Sequence, residues 1–201
     1  MAKLTRQLLL ENPIEQYVKW QQDAFEAGGH KLSSMALATT GSNGIPAIRT
    51  VLLKEVTKLG FVFYSNYNSK KGRQIQENPN GAILFYWESL ERQVKVTGAV
   101  EKVTSIESDD YFQSRPRAAQ IGAIASPQSD CIDNRDELEV RYREIAEKYE
   151  GRSVERPNNW GGYRLLPQLF EFWQGRSDRL HDRFQYYLDG TGSWVVERLA
   201  P

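Results

Sequence analysis

Three stretches of this sequence carry the residue types that hold a charged, flat ligand. The first, Arg49 to Arg73 (RTVLLKEVTKLGFVFYSNYNSKKGR), has six Lys or Arg among 25 residues against one acid, Glu55. Uncompensated cations beside a Ser/Asn loop and a helix start suit a phosphate, which takes backbone N–H donors and positive charge together. A solvated basic edge strand would have the same composition. The second, Trp173-Gln-Gly-Arg176-Ser-Asp-Arg179-Leu-His181-Asp-Arg183, packs three arginines, a histidine and an indole into eleven residues. That set suits an anionic ring, although a charged hairpin laced by Asp178 and Asp182 would read alike. The third, Tyr111-Phe-Gln-Ser-Arg115-Pro-Arg117, sets a phenol and a guanidinium four residues apart, on one side of a helix end. A phosphate fits such a pair, and so does a plain helix-terminal ion pair.

Other chemistries find little support. HExxH, P-loop, GxGxxG and CxxC motifs are all missing, and the two histidines, His30 and His181, lie far apart. A metal site is therefore not expected, and a Ser-His-Asp hydrolase would rest on His181 alone. Lys+Arg and Asp+Glu both number 26, so no global field would grip nucleic acid or an anionic membrane. The longest apolar runs, such as Gly81 to Trp87, fall far short of the ~20 residues of a membrane span. The single cysteine, Cys131, excludes an internal disulfide. With one thiol and no signal-peptide pattern, the cytoplasm is the expected compartment.

The elements that must position these stretches follow from local pattern. Asn12-Pro13 reads as a helix start, with Ile14, Tyr17, Val18, Ala24 and Phe25 on one face and Gly28-Gly29 as the stop. Strands are expected at Met35 to Thr39, Ile45 to Val56 and Phe61 to Ser65, with a hairpin turn at Gly41 to Gly44. A short helix follows from Ser69 to Glu77, then strands from Ala82 to Trp87 and Gln93 to Val103. Thr104-Ser-Ile-Glu107 is a capping-box pattern opening a helix through Phe112. Pro116 to Ala123 and Asp133 to Glu150 are further helices, the last with Leu138, Tyr142, Ile145 and Tyr149 as its stripe. Its exposed face carries Glu137/Arg141, Glu139/Arg143 and Glu144/Lys148 at i,i+4. Strands return at Gly162 to Leu166, Leu169 to Trp173, Arg183 to Leu188 and Trp194 to Leu199. Hairpin links predict an antiparallel sheet closed into a barrel, in one domain over residues 1–201, with 1–12 a flexible amino-terminal segment.

RTVLLK (49–54), FYSNYNSKKGRQI (63–75), ERQVKVTG (91–98), YFQSRPRAAQIGA (111–123), SPQS (126–129), WGGYRL (160–165) and FWQGRSDRLHDRF (172–184) closely resemble the pyridoxamine 5′-phosphate oxidase family. So does the ending, Glu197 to Pro201. The resemblance runs in register from about residue 13 to the last, and the R-L-H-D-R box is its most specific part. It implies an α+β fold, a split antiparallel β-barrel with flanking helices, working as a homodimer with FMN at the subunit interface. It implies oxidation of pyridoxamine or pyridoxine 5′-phosphate to pyridoxal 5′-phosphate, with O2 as acceptor and hydrogen peroxide as product.

By the same resemblance Arg49, Lys71 and Ser65 hold the FMN phosphate, with Lys70 nearby and Thr50, Val51, Leu52 and Leu53 in the same run. Lys54, Tyr64 and Gln93 line the flavin, and Gln128, Ser129, Trp173 and Arg183 complete its site, some from the partner chain. The substrate phosphate falls to Lys54, Tyr111 and Arg115, beside Ala119. Arg179 and His181, with Leu180 between them, cover the pyridine ring. Lys70 stands where the family has Arg, Ala119 where it commonly has Ser, and its Arg-x-x-Tyr segment has no clear counterpart before Pro13. The competing readings are a split-barrel oxidase acting on another flat substrate, such as a phenazine precursor, and a flavin- or pyridoxal-phosphate-binding carrier without turnover.

Overall fold

The computed structural model describes residues 3–28 and 32–201; Gly29 and His30, named above, lie outside them. The described residues form nine strands and five α-helices, and all nine strands belong to one antiparallel sheet. Strand β1 (Ser34–Thr40) turns through Gly41–Gly44 into β2 (Pro46–Leu52). The continuous strand expected to Val56 is instead broken at Leu53-Lys54, and β3 (Glu55–Thr57) pairs with β4 (Gly60–Asn66).

That break closes the barrel. With β5 (Asn80–Trp87), β6 (Arg92–Lys102) and β7 (Trp160–Gln174), the strands run in the order β2-β1-β5-β6-β7-β4-β3. Residues 53 and 54 therefore join one edge of this path to the other. The Leu53 N–H donates to Ser33 O at 2.7 Å on the β1 side, and the Lys54 N–H donates to Val62 O at 2.9 Å on the β4 side.

The two short strands expected on either side of Pro167 are one strand, β7. Its first half pairs with β4 and its second half with β8 (Asp182–Leu188), which β9 (Trp194–Leu199) extends. The register against β6 shifts between Thr97 and Gly98, opposite Pro167, which has no N–H to give a ladder. The barrel splits at this point.

Apolar alternation fills the interior: Leu37, Phe61, Phe63, Val94, Phe170 and Phe172 are fully buried. Helix α1 (Pro13–Glu26), capped by Asn12, sends Tyr17 into this core at 4.9 Å from Phe61 and Trp20 at 5.1 Å from Phe172. Val18 and Phe25, expected on its inner face, are exposed at 46% and 65%. Residues ahead of α1 reach the core through buried Leu4 and Leu9.

Helix α2 (Lys70–Glu77) follows β4 directly. Helix α3 (Ser105–Ser114) has both bonds of its capping box, Thr104 with Glu107. It packs with α4 (Arg117–Ala125) and Trp160 in a second cluster around Phe112, Ile121 and Val154. Helix α5 (Arg135–Lys148) buries no residue fully, and its expected stripe is only half covered. Arg141 pairs with Glu137 at 2.6 Å as the spacing predicts, whereas Glu139 pairs with Arg135 at 2.7 Å. No α-helix among the described residues is long and apolar enough to cross a membrane.

Candidate active site

A cavity of about 790 Å³ opens between β2, β4 and the α3–α4 pair. Arg49, Thr50, Val51 and Leu52 of β2 line it, with Lys54 just beyond. Tyr64 and Ser65 enter from β4, Lys71 from α2, Gln128 and Ser129 from the loop after α4. Tyr111, Arg115 and Ala119 close the far side. Residues from Arg49 to Trp160 thus share one cavity because the barrel brings β2 beside β4 and the helices lie across them.

One end is built for an anion. Lys71 is buried at 8% exposure, and its Nζ donates to Ser65 Oγ (3.0 Å), Ser69 Oγ (3.2 Å) and Gln128 Oε1 (3.0 Å). Burial, and then the nearby Arg49 charge, pull its ammonium down to about 8. Ser69 also caps α2, accepting from the Gly72 N–H, so the cation sits at a helix amino terminus. Arg49 is held by Leu37 O (3.1 Å), Thr39 Oγ1 (2.7 Å) and Gln74 Oε1 (3.3 Å), and burial lowers its pKa as well. None of these hydrogen-bond partners is an acid, so no carboxylate offsets either cation.

The other end is a wall of rings. Tyr64 and Tyr111 stack at 3.8 Å, and Trp160 lies parallel to Tyr111 at 6.2 Å and 6°. Gly162 makes the wall possible, since a Cβ there would stand 2.9 Å from Tyr64 Cε1 and 2.5 Å from Val103 Cγ2. The Arg115 guanidinium lies 4.6 Å over the Trp160 ring, and its buried Nη1 has no hydrogen-bond partner. Burial depresses the Arg115 pKa, as expected of a buried cation with no acid beside it. Lys54 Nζ is 5.8 Å from the Tyr111 ring centre. Trp160, Ser114 and Pro116 also line the cavity, and sequence reasoning gave them no role. Trp160 is placed by its pairing with Asn66 across β4 and β7, a register no local pattern announces.

The remaining expected residues lie elsewhere in the chain. Gln93, Trp173 and Arg183 form a cross-strand row on β6, β7 and β8. Arg183 is held 2.8 Å from buried Glu171, which also pairs with Lys95 at 2.5 Å. The His181 ring packs 4.7 Å from Trp173, while Arg179 and Leu180 are exposed on the β7–β8 loop. None of these six lines the cavity. Lys70 is exposed at the first position of α2, and Leu53 points into the barrel core.

This architecture is that of the FMN-binding split barrels. It is similar to an FMN-binding, pyridoxamine 5′-phosphate oxidase-related protein of Nostoc punctiforme (TM-score 0.74, 19% identity, 94% of this chain and 98% of that one). Residues 21–149 match the family described as pyridoxamine 5′-phosphate oxidase, and residues 160–201 match the pyridoxine 5′-phosphate oxidase C-terminal dimerisation region. The chain belongs to the pyridoxamine 5′-phosphate oxidase family, a family of oxidoreductases. It is 50% identical to a pyridoxine/pyridoxamine 5′-phosphate oxidase of Crocosphaera subtropica, over 98% of this chain and 94% of that protein. A chloroplastic Arabidopsis thaliana relative of the same name is 48% identical over 94% of this chain and 37% of its own length. The fold is also close to PhzG of Burkholderia lata, solved with tetrahydrophenazine-1-carboxylic acid (TM-score 0.92, 29% identity, 99% and 98% of the two chains). The match over residues 160–201 supports a homodimer.

Proposed function

We propose that this protein oxidises pyridoxamine and pyridoxine 5′-phosphate to pyridoxal 5′-phosphate, with FMN as cofactor and O2 as acceptor. The observation that carries the reading is the pairing, in one cavity, of an acid-free cationic end (Arg49, Lys71) with a wall of stacked rings on which Arg115 lies. The residues present fit FMN. Arg49, Lys71 and Ser65 suit its phosphate, and Gln128 and Ser129 offer polar groups beside them. Arg115, with Nη1 unpartnered, suits a second phosphate, that of the substrate, helped by Lys54 and Tyr111. Bound FMN would supply the two-electron acceptor for the substrate C4′ carbon and its reoxidation by O2 to hydrogen peroxide.

The chain's own contribution is position and charge. Lys71 and Arg49 anchor one end of the cofactor, and Arg115 fixes the substrate by its phosphate, remote from the reacting carbon. Arg179 and His181 are assigned to the substrate's ring face. Because they and the Gln93, Trp173, Arg183 row do not line the cavity of their own chain, the reading places them at the cavity of a partner chain. The dimerisation region that matches at residues 160–201 contains four of these five residues, all but Gln93, which supports that arrangement.

A second reading, oxidation of an unphosphorylated tricyclic acid as the likeness to PhzG invites, would offer the Arg115 end a carboxylate in place of a phosphate. Peroxide and aldehyde release from purified protein given pyridoxine 5′-phosphate tests the proposal. Turnover of a phenazine precursor with none of the phosphate ester would establish the second reading. Failure with both would leave a flavin carrier.

A further inference from the structure

The loop that closes the β7–β8 hairpin carries Arg179 and His181, and residues without an assigned role fix its shape. Gln174 and Asp182 face each other in the last register pair, so residues 175–181 make the turn. Asp178 and Arg179 both have positive φ, 57° and 60°, a region L side chains enter only when their surroundings hold them there. Asp182 supplies much of that hold. Its Oδ2 accepts from Arg176 Nε (2.8 Å) and Nη2 (2.7 Å) and from the Leu4 N–H (3.1 Å). Its Oδ1 accepts from Arg198 Nη1 at 2.9 Å, and Arg198 Nη2 donates to Leu4 O at 3.1 Å. Burial alone would raise the Asp182 carboxyl; hydrogen bonds from Arg198, Arg176 and Leu4 outweigh it and hold the carboxyl below the ordinary range.

The Arg176 backbone then reaches the histidine: its N–H donates to His181 Nδ1 at 3.1 Å. A backbone amide can only donate, so Nδ1 must present its lone pair. In a neutral imidazole the proton then sits on Nε2. Trp173, 4.7 Å away between ring centres, fixes the ring plane.

We propose that Asp182 is a positioning residue for His181. By gripping the Arg176 side chain it seats the Arg176 amide on Nδ1 and locks the neutral ring as the Nε2–H tautomer. His181 is thereby a hydrogen-bond donor towards the substrate and not a base towards it. The inference rests on the substrate-side role given to His181 above. It assigns an acceptor atom of the substrate to the position that Nε2 meets.

The chain has two histidines, so the holoprotein labelled with 15N-histidine gives two ring patterns in a long-range 1H–15N correlation, and a His30→Gln variant assigns them. The expected result is a single Nε2–H tautomer for His181 at neutral pH. An Nδ1–H ring, or a mixture, overturns the proposal. Asp182→Asn is expected to release the ring into mixed tautomers with FMN still bound, and to lower kcat about tenfold. Arg176→Met keeps the amide but loses the grip, and serves if the first variant does not fold. An unchanged tautomer in either folded variant overturns the role of Asp182. Because the tautomer is read without turnover, inactivity of the native protein on pyridoxine 5′-phosphate would sink the proposed function separately.

Discussion

Lys71 makes the phosphate end of the cavity testable by pH alone. It is buried, surrounded by Ser65, Ser69 and Gln128 oxygens with no acid, and its ammonium titrates at about 8 instead of 10.5. Between those two values the unfolded chain holds a proton that the folded apoprotein has released. Apoprotein stability therefore rises with pH from about 8 to about 10.5, and below 8 the buried charge costs its full amount, about 3 kcal/mol. A phosphate beside Nζ restores the charge and pushes the pKa back up. FMN affinity should then be level from neutral pH to about 8 and fall nearly tenfold per unit above it, a loss of about thirtyfold, about 2 kcal/mol, at pH 9.5. Flavin fluorescence titration of apoprotein across that range reads it directly. Riboflavin, without the phosphate, should show no such limb, and Lys71→Arg, charged throughout, should abolish it. Level FMN affinity to pH 10, or the same limb with riboflavin, would refute the placement of Lys71 on the phosphate.

Arg49→Ala should strip the flavin, read as lost visible absorbance after desalting, while Arg179→Ala keeps it and loses well over tenfold in kcat/KM; equal flavin loss in both would refute the division of the site. Ala119 lines the cavity on the same side as Arg115, so Ala119→Ser should lower KM for the phosphate ester by about tenfold or less with kcat little changed. A clear rise in KM would show that the substrate phosphate lies elsewhere. Gly98 sits at the register shift, where a Cβ would stand 1.9 Å from Leu166 O, so Gly98→Ala should cost about 3 kcal/mol in denaturant unfolding. A cost under about 1 kcal/mol would mean that the backbone there yields easily.

What the sequence determined by itself was local. The Asn12 cap, the Thr104/Glu107 box, the Gly41–Gly44 turn and the Glu137/Arg141 pair involve residues at most four apart, whose geometry the helix or turn sets without outside help. The resemblance to the family's motifs marked thirteen residues that do line one cavity, among them Val51, Leu52 and Ala119, whose side chains announce no ligand by themselves. Tertiary structure decided the rest. An apolar repeat marks a helix face but not its cover, so Val18 and Phe25 are exposed while Trp20 and Gln16 are buried. A run of β-formers reads as one strand until the barrel must close, and closure turns Leu53-Lys54 into a bridge between two sheet edges. Trp160 joins the site only through its register opposite Asn66. That Lys71 loses charge while Arg49 and Arg115 remain without acids depends on desolvation and on which partners packing brings near, and neither is written in a residue's neighbours along the chain.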